Sequence, residues 1–86
     1  MRFNYFLIFF FTASMILAQD YYDLARKHYN EDDLDSARYY INKKLSKKPS
    51  AEDYFLSAMI HEAQNKELRA LADYEAVIQQ DPNNLE

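Results

Sequence analysis

DYYDLARKH at residues 20–28 returns as DYFLSAMIH at residues 53–61, and this pair decides how the chain is read. The shift of 33 residues sets Asp20 on Asp53, Tyr21 on Tyr54, Ala25 on Ala58 and His28 on His61. Further along it sets Ala37 on Ala70 and Pro49 on Pro82. Tyr22 with Phe55 and Leu45 with Ile78 are conservative matches, whereas Leu24 with Ser57 and Leu34 with Glu67 do not match. Identities spread over a whole unit are the mark of an internal repeat.

Within each unit the apolar spacing is helical. Tyr21, Leu24, Ala25 and His28 recur at three and four residues, as do Leu34, Ala37, Ile41 and Leu45, so each segment carries one apolar stripe. Asp32, Asp33 and Asp35 precede the second stripe and Lys43, Lys44, Lys47 and Lys48 follow it, which suits the helix dipole at both ends. Pro49 then stops the helix, because it lacks an amide hydrogen and keeps Lys48 out of helical geometry. In the second unit Tyr54, Ala58 and His61 mark one helix and Ala70, Tyr74, Val77 and Ile78 the next, closed by Asp81, Pro82 and Asn83. The spacing predicts helices near 20–31, 34–47, 51–64 and 67–80, with no segment alternating at period two. Ala25, Ala37, Ala58 and Ala70 are the small residues that let paired helices approach, with Tyr21, Tyr54, Ile41 and Tyr74 filling the volume around them.

This pattern resembles the tetratricopeptide repeat, which places a large aromatic, a Leu-Gly pair, a second aromatic, a small residue followed by an aromatic, and a closing proline. The slots are held by Tyr21, Leu24, Ala25, His28, Ala37, Ile41 and Pro49 in the first unit. Tyr54, Ser57, Ala58, His61, Ala70, Tyr74 and Pro82 hold them in the second. Alanine stands for the family's glycine in both units, histidine takes the second aromatic slot twice, Ser57 replaces leucine, and the unit is one residue short. The resemblance implies an all-α fold, two helix-turn-helix repeats (about 20–50 and 51–84) stacked as a short α-solenoid. It also implies a concave face lined by the first helix of each repeat, with Tyr22, Arg26, Tyr29, Phe55, Met59 and Glu62 along it. Such a face suits an extended peptide: aromatic and thioether groups give adaptable contact and Arg26 is placed to take a carboxylate.

Outside the repeats, residues 1–18 are of another kind. All 14 acidic residues lie at or beyond Asp20, while the first 19 residues carry one charge, Arg2, ahead of the apolar run from Phe6 to Phe11. A short positive start, an apolar stretch through Met15, Ile16 and Leu17, and the small Ala18 before Gln19 are the parts of an export signal. Phe3 to Ala18 is slightly short for a spanning helix, so an uncleaved anchor is the competing reading. Both leave Arg2 on the cytoplasmic side and residues 19–86 exported, periplasmic or secreted. The membrane is expected to be touched only through residues 3–18, if they are retained.

Composition narrows function further. With no glycine and no cysteine among 86 residues, phosphate-cradling loops, dinucleotide fingerprints, serine elbows, thiol nucleophiles and zinc knuckles are all excluded. A formal net charge of −4 argues against nucleic acid as a partner. His28 and His61 invite a shared metal site, but an aromatic packing slot accounts for both. The run Glu31, Asp32, Asp33 and Asp35 lacks the glycine of a calcium loop and reads as a capped turn. No metal, cofactor or catalysis is expected.

The reading is therefore a non-catalytic module that binds or scaffolds a protein or peptide partner. The alternative is the sensory or anchoring front end of a longer membrane signalling protein. Two repeats make little core, and Tyr74, Val77 and Ile78 are expected to leave the last helix with an open apolar flank, covered by further repeats, by a partner or by self-association.

Overall fold

The structure of the chain is a computed structural model that describes residues 20–81. The segment read as an export signal, the second repeat's closing Pro82 and the four residues after it lie outside the described residues. Within them the protein is all-helical: α1 (Tyr21–Asn30), α2 (Leu34–Leu45), α3 (Ala51–Ala63) and α4 (Glu67–Gln80), with no strand among the described residues. The closest partners are α1 with α2 and α3 with α4, two helical hairpins; α2 lies against α3 and joins them, and α1 touches α3 lightly.

Side chains set most of the helix starts. Asp20 caps α1 by accepting from the Tyr22 amide at 2.9 Å, and Asp33 caps α2 by accepting from the Ser36 amide at 3.3 Å. The Ser36 hydrogen bonds, more than the nearby His28, hold the Asp33 carboxyl below its ordinary range. At α3, Ser50 and Asp53 form a reciprocal capping box. Asp20 and Asp53, equivalent in the repeat, thus serve different positions, because α3 begins three residues earlier in the unit than α1 does. Only α4, opening after Lys66, has no side-chain cap.

The turns inside the hairpins solve a problem that the absence of glycine creates. Asp32 and Asn65, one repeat apart, both adopt the left-handed conformation with φ of 61°. Around Asp32 the Asp33 amide reaches the His28 carbonyl at 2.8 Å and the Asp32 amide reaches Tyr29 at 3.0 Å. Around Asn65, Lys66 reaches His61 at 2.8 Å and Asn65 reaches Glu62 at 2.9 Å. These are paired Schellman closures, with aspartate and asparagine, the side chains that tolerate this region best, in glycine's usual place. Lys48, before Pro49, is also left-handed, with φ of 47°. α2 stops at Leu45, two residues short of expectation, where the Ser46 hydroxyl donates to the Lys43 carbonyl at 2.7 Å and ends the ladder.

The four alanines are buried as their spacing requires, from 0 to 2% exposed. Ala25, Ala37, Ile41, Leu56 and Ile60 form one core, with Tyr22, Tyr29, Tyr40 and Leu45 packed on it. This core spans both hairpins, since Leu56 and Ile60 come from α3. One expectation changes: Val77 is 2% exposed, so it belongs to the α3–α4 packing and not to an open flank. Tyr74 is half-buried against Phe55, and the large exposed apolar residues of α4 are Leu68, Leu71 and Ile78.

Candidate functional site

Helical spacing brings Tyr22, Arg26 and Tyr29 to one face of α1 and Phe55 and Met59 to one face of α3. The two faces border a groove of about 720 Å³, also lined by Asn30, Ala51, Glu52, Leu56 and Asp81. Five of the six residues implied for a partner face therefore share one concavity. The sixth, Glu62, sits a turn further along α3, in a smaller hollow of about 350 Å³ with Glu67, Ala70, Leu71 and Tyr74. Its neighbour there comes from α4 because α1 has already ended at Asn30.

The groove is apolar on its floor and charged at its edges. Burial raises the pKa of the Tyr22 hydroxyl, and the Glu52 carboxylate raises it further, against the opposing pull of Arg26. Arg26 itself is exposed and forms no ion pair among the described residues; beside the Tyr22 hydroxyl, its guanidinium keeps donors available for a carboxylate. At the far end the Glu62 carboxylate beside Tyr74, together with burial, pushes the Tyr74 hydroxyl up to about 12.

The histidines fill equivalent positions with different chemistry. His28 stacks on Tyr40, ring centroids 5.4 Å apart and planes within 13°. Its Nδ1 lies 3.4 Å from Asp33 Oδ2 and 3.8 Å from Glu31 Oε1. Neither contact has hydrogen-bond geometry, so both are Coulombic and matter only when the ring is protonated. In the second hairpin His61 Nδ1 lies 2.7 Å from Asp73 Oδ2, and the Ser57 hydroxyl donates to the same oxygen at 2.8 Å. Asp73 is the repeat equivalent of Tyr40, and Ser57 that of Leu24. The Leu24, His28, Tyr40 set of the first hairpin is thus replaced as a group by Ser57, His61, Asp73. The missing leucine is exchanged for a polar tie between α3 and α4, a link across 16 residues of sequence that helical spacing alone does not show.

Serine, histidine and aspartate in contact invite a hydrolytic reading, which the geometry refuses. A nucleophile must hydrogen-bond its base, but Ser57 donates to Asp73 and is 1% exposed. Among the described residues no cluster of histidine and carboxylate side chains is arranged to hold a metal ion. No described helix is long and apolar enough to cross a membrane.

Comparison with protein-family models, curated proteins and solved structures returns no match.

Proposed function

We propose that this chain is an exported helical module of the tetratricopeptide type, two helix-turn-helix units of a short α-solenoid, and that it binds an extended peptide or partner segment without catalysis. The observation that carries the reading is the groove itself: Tyr22, Arg26, Tyr29, Phe55 and Met59 converge on about 720 Å³ between α1 and α3. An exposed guanidinium without an ion-pair partner among the described residues, beside aromatic and thioether side chains, matches a peptide with an acidic residue next to an apolar one. The paired left-handed closures and the four buried alanines support the repeat reading, since both recur at the 33-residue spacing.

An array of labelled synthetic peptides carrying Glu or Asp beside Leu or Phe, titrated with the chain by fluorescence anisotropy, tests the groove. Members that bind are expected to weaken roughly tenfold with Arg26→Ala and with Met59→Ala, as central contacts of an interface do. Failure of every peptide to bind below about 1 mM, or binding indifferent to both substitutions, would remove the groove as the site. Export has its own readout: N-terminal sequencing of the protein recovered outside the cytoplasm is expected to begin at Gln19. An intact Met1 in the membrane fraction would instead make the module an anchored one.

A further inference from the structure

The two hairpins differ in what lies on their outer sides, and the repeat supplies an internal template for the difference. On α2, Ile41 and Leu45 face α3, whose Leu56 and Ile60 share their core. Thirty-three residues on, the same positions of α4 are Tyr74 and Ile78, with Leu71 standing where α2 has Arg38. Tyr74 is half-buried, its ring set edge-on to Phe55 of α3 at 5.7 Å, but no described helix covers its neighbours: Leu71 is 55% and Ile78 44% exposed. Glu62 and Glu67 border the hollow beside Leu71 and Tyr74, and Glu75 follows one turn after Leu71 on the same flank. The face is therefore helix-shaped, aliphatic and aromatic at its centre, and acidic at its rim.

We propose that this face of α4 docks an amphipathic helix of a separate protein, one that presents two aliphatic residues four apart, as α3 does with Leu56 and Ile60, flanked by Lys or Arg. The charge pattern selects this occupant over a second copy of the chain. Two α4 faces set together oppose Glu62, Glu67 and Glu75 with themselves, a like-charge contact that disfavours association. Head-to-tail stacking fails at the other end, because α1 carries exposed Asp23 and Lys27 where α3 carries Leu56 and Ile60. Among the described helices, α1 therefore presents a polar outer side and α4 an apolar one.

The proposal is independent of the groove between α1 and α3. Its test uses the full chain and two labelled synthetic helices with the same aliphatic pair, one flanked by lysine and arginine, the other by glutamate. The basic helix is expected to bind, roughly tenfold weaker with Leu71→Glu, and more weakly as NaCl rises from about 0.05 to 0.5 M. Glu62→Gln combined with Glu75→Gln is expected to flatten that salt dependence. Lys27→Glu, on the far side, should change nothing, and matching melting temperatures show that the variants are folded. Equal binding of both helices, or of neither, overturns the proposal. So does a concentration-dependent dimer in sedimentation that Leu71→Glu dissociates, which would make a second copy the occupant.

Discussion

His61 Nδ1 sits 2.7 Å from Asp73 Oδ2, whereas its repeat partner His28 lies flat against Tyr40. The two histidines fill one slot of the repeat but are not interchangeable. His28→Phe keeps the stack and is expected to cost less than about 1 kcal/mol. His61→Phe leaves Asp73, 15% exposed at its side chain, with Ser57 as its one side-chain partner, and is expected to cost about 1–3 kcal/mol. Urea midpoints of the two variants decide it, and equal losses would mean that the His61–Asp73 contact carries no weight.

Lys44 and Asp53 tie the hairpins together. Lys44 Nζ lies 2.7 Å from Asp53 Oδ2, and Asp53 is 2% exposed while also accepting from the Ser50 amide. Lys44→Met removes the cation and leaves a buried carboxylate with backbone support alone, a loss of about 1.5–3 kcal/mol. Asp53 is enclosed while the Lys44 side chain is 27% exposed, so salt screens the pair only in part. The difference between wild type and variant should therefore persist when chemical stability is measured in urea at low and at high NaCl.

Alkaline pH should reveal Tyr74. Its hydroxyl ordinarily titrates near 10.0 and is held up to about 12 in the fold by Glu62 and burial. The unfolded chain therefore releases this proton first, so its contribution is complete below pH 10 and is lost as pH rises through 12. The Asp53 hydrogen bond also raises the pKa of Lys44 above its usual 10.5, so its contribution is likewise lost as pH rises beyond that value. Melting temperatures followed across this range should fall less steeply for Tyr74→Phe than for wild type. Parallel curves would show that the Glu62–Tyr74 contact is absent in solution.

Ala37, fully buried in the core, has no room for growth. Ala37→Leu is expected to overpack it at a cost of about 1–3 kcal/mol, read as a lowered urea midpoint, and an unchanged midpoint would mean that α1 and α2 do not pack closely.

Helix positions were legible because burial repeats with helical spacing: Ala25, Ala37, Ala58 and Ala70 announce the contact faces before any coordinates. The exception is the end of α2, where Lys47 continues the basic run but Ser46 turns its hydroxyl onto the backbone. The groove was legible from the resemblance down to Met59 and no further, since Glu62 depends on which helix stands opposite once α1 ends. Ser57 with Asp73 and Lys44 with Asp53 were not legible. Ser57 reads as a missing leucine, Lys44 as a helix-end charge and Asp53 as the repeat match of Asp20, and only the crossing of helices pairs them with their partners.

The uncapped start of α4 sets an order for local opening. α1, α2 and α3 each begin on a side-chain cap, but after Lys66 the first amides of α4 have none, and its outer flank is exposed. Backbone amide exchange should therefore be fastest in the first turn of α4. It should be slowest at the α2–α3 seam, where Ile41, Leu56, Ile60 and the Lys44–Asp53 pair lie. The molecule would then unzip from the α4 edge, and a helix bound there would slow exchange along α4 before it raised the stability of the seam.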